Sequence, residues 1–105
     1  MSDQRPHVAA VIPAYNEERT IGDVVMPLKM SPLISEVIVI SDGSTDRTKM
    51  LAEAAGAMVH ELPTRSGKGA AMLHGVTHTD APIILFLDNG RAPVSGARLE
   101  FTDIL

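Results

Sequence analysis

Four short apolar runs, separated by stretches with helical spacing, govern what this chain can fold into. Val8–Ile12, Val37–Ile40 and Ile83–Leu87 are continuous and rich in branched residues, and Met58–Val59 with its flanks forms a weaker fourth. Continuous runs of this kind suit strands covered on both faces, as parallel strands are. Between the first two runs, Ile21, Val24, Val25 and Leu28 recur at i, i+3, i+4 and i+7, on one face of a helix. Pro27 interrupts that pattern and predicts a kinked or shortened helix, and Pro32 ends any continuation. A second helix is marked over 49–55, with Ser44, Thr45 and Asp46 as N-terminal caps and Gly56 as the closing glycine. A third covers about 67–77, rich in Ala and softened by Gly69 and Gly75, before Asp80-Ala81-Pro82 turns the chain into the last strand. The order β-α-β-α-β-α-β predicts an α/β fold: a Rossmann-like, mostly parallel sheet with right-handed crossovers and helices on both faces.

At 105 residues the chain suits one domain. That domain is expected over 1–88; residues 89–105, with Gly90, Pro93 and Gly96 and no sustained period, form an atypical tail that the pattern does not assign. With one Tyr, two Phe and no Trp, the core must be aliphatic, and the six Met read as core filler. A net charge of −4 without a basic stripe argues against nucleic acid as a partner. The one basic cluster, Arg65 and Lys68, is sized for a single phosphate-bearing small molecule. The absence of cysteine excludes disulfides and thiolate zinc sites. Residues 1–6 carry no apolar signal core, and the longest apolar stretch, Ile83–Leu87, is far too short for a transmembrane segment. A cytoplasmic location is therefore the expectation. His7, His60, His74 and His78 read as surface residues: His74 and His78 lie i, i+4 on a helix but lack a third ligand.

In an open α/β sheet the ligand crevice lies beyond the carboxyl ends of the strands. Here those ends carry Pro13-Ala14-Tyr15-Asn16-Glu17-Glu18, Ser41-Asp42-Gly43-Ser44-Thr45-Asp46 and Asp88-Asn89-Gly90. A P-loop is excluded: Leu62 stands where its first glycine belongs, and Gly69 where Ser or Thr must follow Gly67-Lys68. The turn after the first strand has no glycine, which excludes a dinucleotide fingerprint. A phospho-acceptor signalling domain is discounted, since the third strand ends in Glu61-Leu62-Pro63 rather than Asp. What remains, carboxylates at strand ends, one aromatic and a Gly-Lys-Gly at a helix start, suits a nucleoside diphosphate. Tyr15 offers a stacking face and the carboxylates offer contacts to base, ribose or a bridging metal.

These segments also resemble a known family. Val11-Ile12-Pro13-Ala14-Tyr15-Asn16-Glu17-Glu18 resembles the opening signature of family 2 glycosyltransferases of the A-type fold. Ile38-Val39-Ile40-Ser41-Asp42-Gly43-Ser44-Thr45-Asp46-Arg47-Thr48 resembles the second, Gly67-Lys68-Gly69-Ala70-Ala71 the third, and Ile84-Leu85-Phe86-Leu87-Asp88 the strand entering the family's DxD motif. The nearest flavour is that of bacterial polyprenyl-phosphate sugar transferases and glucosyl-3-phosphoglycerate synthases. The resemblance implies strand order 3-2-1-4 and a UDP- or GDP-type nucleotide-diphosphate sugar as partner. It implies that Pro13, Ala14, Tyr15 and Glu17 line the nucleotide pocket and that Asp42 binds the base. It further implies that Lys68 lies near the phosphates or base, and that Asp88 meets ribose or a Mg²⁺- or Mn²⁺-bound diphosphate as the metal residue.

Two departures accompany it. Asp88-Asn89-Gly90 lacks the second aspartate of the DxD motif, which weakens the case for a divalent metal. The family's acceptor half and its later catalytic base have no counterpart before Leu105, so no catalytic residue is assigned and a truncated or frame-shifted, incomplete glycosyltransferase domain is expected. The alternative is a non-catalytic nucleotide-binding module or inactive fragment. In order 3-2-1-4 the last strand would lie at an open edge, which predicts a homo-oligomer formed by edge pairing. Four of the site residues also have a plainer reading: Asp42 and Asp88 as caps of neighbouring amides, Tyr15 as cover for the sheet edge, and Lys68 as a solvated surface residue.

Overall fold

A computed structural model describes residues 7–88. Its elements run β1 (Val8–Ala14), α1 (Ile21–Met30), β2 (Glu36–Asp42), α2 (Thr48–Ala54), β3 (Met58–Leu62), α3 (Lys68–Val76) and β4 (Ile83–Phe86). The strands form one parallel sheet in the order β3-β2-β1-β4, as the resemblance implied. Residues 89–105, including Asn89 and Gly90 of the motif after β4, lie outside the described residues.

The continuous apolar runs are explained by burial on both sides. Side chains alternate along a strand, so Ala10, Ile12, Val37 and Val39 enter the core beneath α1 and α2. Ala9, Val11, Ile38 and Ile40 face the other way and meet Ala71 of α3. Gly75 sets the distance on that side: a Cβ there would strike Val11 and come within 3.3 Å of Ile40. The helix can therefore lie close on the sheet only because this position has no side chain.

Three local expectations change. Helix α1 runs through Pro27 to Met30 and is not shortened there. Ile21 and Val25 are fully buried on its inner face, and their packing offsets the missing N–H. The methionines are mostly not core filler: Met26, Met30, Met50 and Met58 are exposed, because their positions fall on outward faces. Ser44 and Thr45 do not cap α2 but bond across to Asn16. Asp46 does act near that helix start, accepting the Thr48 N–H at 2.9 Å. The far end of α2 closes as read, with Gly56 at φ 107° and the bonds Gly56 N–H to Glu53 and Ala57 N–H to Ala52.

Candidate functional site

Three strand ends and one helix start converge on a single cavity of about 160 Å³. It is lined by Pro13, Ala14, Tyr15, Glu17, Asp42, Arg65, Lys68 and Asp88. All seven residues proposed from the sequence thus meet around one space. Arg65, noted only as half of a basic cluster, joins them; its signal was its place three residues before Lys68.

The walls are held by two sets of bonds. At the end of β2, Asp42 is almost fully buried, and its carboxylate accepts the Ser66 N–H at 2.7 Å and the Gly67 N–H at 2.9 Å. This ties the loop before α3 to the sheet and sets a negative charge at the positive end of that helix. The plainer reading of Asp42, as a cap of neighbouring amides, is therefore realised, while the residue also lines the cavity. Gly43 lets the loop come this near: its φ is +73°, and a Cβ would lie 2.6 Å from the Arg65 nitrogen.

The second set locks the loop after β1 to the loop after β2. Ser44 Oγ accepts the Asn16 N–H, Asn16 Oδ1 accepts the Thr45 N–H, and Asn16 itself sits at φ 49°. Thr48 Oγ1, fully buried, accepts the Glu17 N–H at 2.8 Å and donates to Asp46 Oδ1. Asp46 Oδ2 accepts the Glu18 N–H, and Glu18 Oε1 accepts the Arg47 N–H. Burial raises the Asp46 carboxyl, but these bonds from Thr48 and Glu18 outweigh it and hold the group below its ordinary value. The polar residues after β2 thus position Tyr15 and Glu17 rather than reaching the cavity themselves.

Inside, cations and anions face one another. The Arg65 guanidinium lies 4.0 Å above the centre of the Tyr15 ring, a cation–π contact on the face proposed for stacking. Lys68 Nζ donates to Asp88 Oδ2 across the cavity. Among the described residues no group of three or more His, Cys, Asp or Glu is disposed to hold a metal ion. A cavity with two cations, three carboxylates and one aromatic face matches a nucleoside diphosphate, which carries a flat base and concentrated negative charge.

Residues 9–89 match the sequence profile of Glycosyl transferase family 2. The chain belongs to this family. It is 41% identical over 91 residues to the glucosyl-3-phosphoglycerate synthase of Mycolicibacterium smegmatis, covering 78% of this chain and 30% of that one. It is 44% identical over 82 residues to the glycosyltransferase AglJ of Haloferax volcanii, covering 77% of this chain and 26% of that protein. A crystal structure of the Mycobacterium tuberculosis glucosyl-3-phosphoglycerate synthase with Mn²⁺, UDP and glucosyl-3-phosphoglycerate superposes with a TM-score of 0.70 at 35% identity. That match covers 80% of this chain and 33% of the synthase. The same enzyme has been crystallised with Mg²⁺ and UDP. The family 2 chain described here therefore spans about a third of the length of these synthases. Among its described residues no helix is long and apolar enough to cross a membrane.

Proposed function

We propose that this chain holds the nucleoside diphosphate of a sugar donor, UDP-linked in preference to GDP-linked, for transfer to an acceptor. The observation that carries this is the convergence of Tyr15, Glu17, Asp42, Arg65, Lys68 and Asp88 on one cavity. Tyr15 takes the base on its ring as Arg65 withdraws toward the phosphates. Asp42 reaches the base with the lone pairs left by its two backbone bonds, Lys68 leaves Asp88 for the diphosphate, and Glu17, Pro13 and Ala14 complete the wall. The preference for UDP rests on relatives whose structures contain UDP with Mn²⁺ or Mg²⁺.

A divalent cation fits this cavity only in part. Asp88 is the described carboxylate able to share it with the diphosphate oxygens, consistent with the way Mg²⁺ is commonly held by one or two carboxylates plus phosphates. Such an ion would neutralise charge on the departing diphosphate. A cytoplasmic location belongs to the same proposal. So does the need for further residues to bind the acceptor and remove its proton, since no described residue is assigned that work.

Calorimetric titration of the folded chain with UDP and GDP, with and without Mn²⁺, tests the reading. UDP should bind, more tightly with Mn²⁺, and Lys68→Ala should weaken it. A folded chain that binds neither nucleotide would sink the proposal. The alternative, a binding module without transfer, is separated by incubating the chain with UDP-glucose and acceptor: binding without sugar transfer favours the module.

A further inference from the structure

The two cations of the cavity are held in different ways. Lys68 is paired with Asp88. Arg65 has no such partner: among the described residues no carboxylate pairs with its guanidinium, although Arg47 finds Glu18 at 3.4 Å. Its contact is the face of Tyr15, 4.0 Å from the guanidinium carbon to the ring centre. Both residues are exposed, so the donors of the planar fork stand in water. The histidines, by contrast, stay out of the cavity. His60, His74 and His78 are partly buried and pack ring against ring at the far end of α3, a correction to their reading as surface residues.

The backbone beneath Arg65 is fixed on both sides. A Cβ on Gly43 would lie 2.6 Å from the Arg65 nitrogen and 2.9 Å from the Thr64 carbonyl carbon, so the loop rests directly on the end of β2. Just beyond, Asp42 holds the Ser66 and Gly67 N–H groups, and Ser66 Oγ donates to the Thr64 carbonyl at 3.2 Å. Movement at this position is therefore left to the side chain.

We propose, on the reading of the cavity as a donor site, that Arg65 makes it select a nucleoside diphosphate over a nucleoside. The guanidinium gives up the Tyr15 ring only in exchange for phosphate. A base that stacks on the covered face must displace the guanidinium, and a nucleoside offers that cation nothing in return. A diphosphate does. Its oxygens accept from the planar fork in short, charge-assisted bonds that are stronger than the aromatic contact they replace. Base stacking and phosphate capture thus become one event, each strengthening the other. Lys68 cannot supply this coupling, because it rests on Asp88 and not on the ring.

NMR titration of the 105-residue chain with uridine and with UDP, without added metal, tests this on wild type and Arg65→Ala. In the free wild type the Arg65 side-chain protons should show the upfield shift of a group above an aromatic ring, absent in Tyr15→Leu. UDP should abolish that shift. Arg65→Ala should bind uridine about two- to five-fold more tightly, the worth of an exposed cation–π contact. It should bind UDP about tenfold more weakly, the worth of a charge-assisted contact to phosphate. A merely structural role would not move the two affinities in opposite directions. Uridine affinity that is unchanged or lower in Arg65→Ala, UDP affinity that is unchanged, or an Arg65 ring shift that survives UDP binding would each overturn the proposal while leaving the donor reading in place. A folded wild type that binds neither uridine nor UDP would remove both.

Discussion

The carboxylate of Asp42 accepts the backbone N–H of Gly67 at 2.9 Å, joining the end of β2 to the residue just before α3. With the companion bond to Ser66, it fixes the short loop whose neighbours Arg65 and Lys68 supply the cations of the cavity. The position thus has two consequences that experiment can separate: support of a loop and contact with a ligand.

Asp42→Ala removes both acceptors and frees the loop. Hydrogen bonds to a charged group are each worth about 1.5–3 kcal/mol, so a loss of about 2 kcal/mol or more in unfolding free energy is expected. UDP affinity should fall with it. Urea denaturation beside UDP titration checks this; affinity lost at unchanged stability would mean that Asp42 acts on the ligand alone.

Thr48→Val keeps the shape and deletes the buried hydroxyl that serves Glu17 and Asp46. The stranded Glu17 N–H makes this a loss of about 1–3 kcal/mol, while Thr48→Ser should lose clearly less. Chemical unfolding of the two variants side by side gives the comparison.

Asp46 links stability to pH. Its folded value is depressed, so its contribution is present above the unfolded value of 3.8 and fades as pH falls through that value toward the folded one. Asp46→Asn should therefore be less stable than wild type at pH 7, with the gap narrowing below about pH 4. A gap that stays constant down to acid unfolding would contradict the assignment.

Two glycines in helices should respond with opposite sign. Gly75→Ala gains up to about 1 kcal/mol in helix propensity. It also drives a methyl into Val11, and overpacking of about 1–3 kcal/mol outweighs that gain. Gly22→Ala in α1 meets nothing within 4 Å and should stabilise by about 0.5–1 kcal/mol. Thermal melts of both variants read the difference directly.

Much of the fold was legible because its signals are local. Branched runs at Val8–Ile12 and Val37–Ile40 mark doubly covered strands, and Gly56 marks the end of a helix from its own neighbours. Seven of the eight cavity residues were legible because strand ends in a parallel sheet share one rim and the motifs matched a family. The roles of Ser44 and Thr45 were not, since their partner Asn16 is 28 and 29 residues away and either hydroxyl is an equally good cap by local rules. The passage of α1 through Pro27 was hidden for a similar reason: propensity is local, while the packing of Ile21 and Val25 is not.

The sequence by itself determined which segments become strands and helices, since periodicity, branching and turn residues act over a few positions. It also determined that acidic, basic and aromatic groups gather at the strand ends. Only the tertiary structure decided that Asp42 spends both oxygens on the loop before α3, that Arg65 covers Tyr15, and that His60 meets His74 and His78. Those outcomes depend on the register of β3 against β2 and on how closely Gly75 lets α3 approach the sheet, distances that no local pattern encodes.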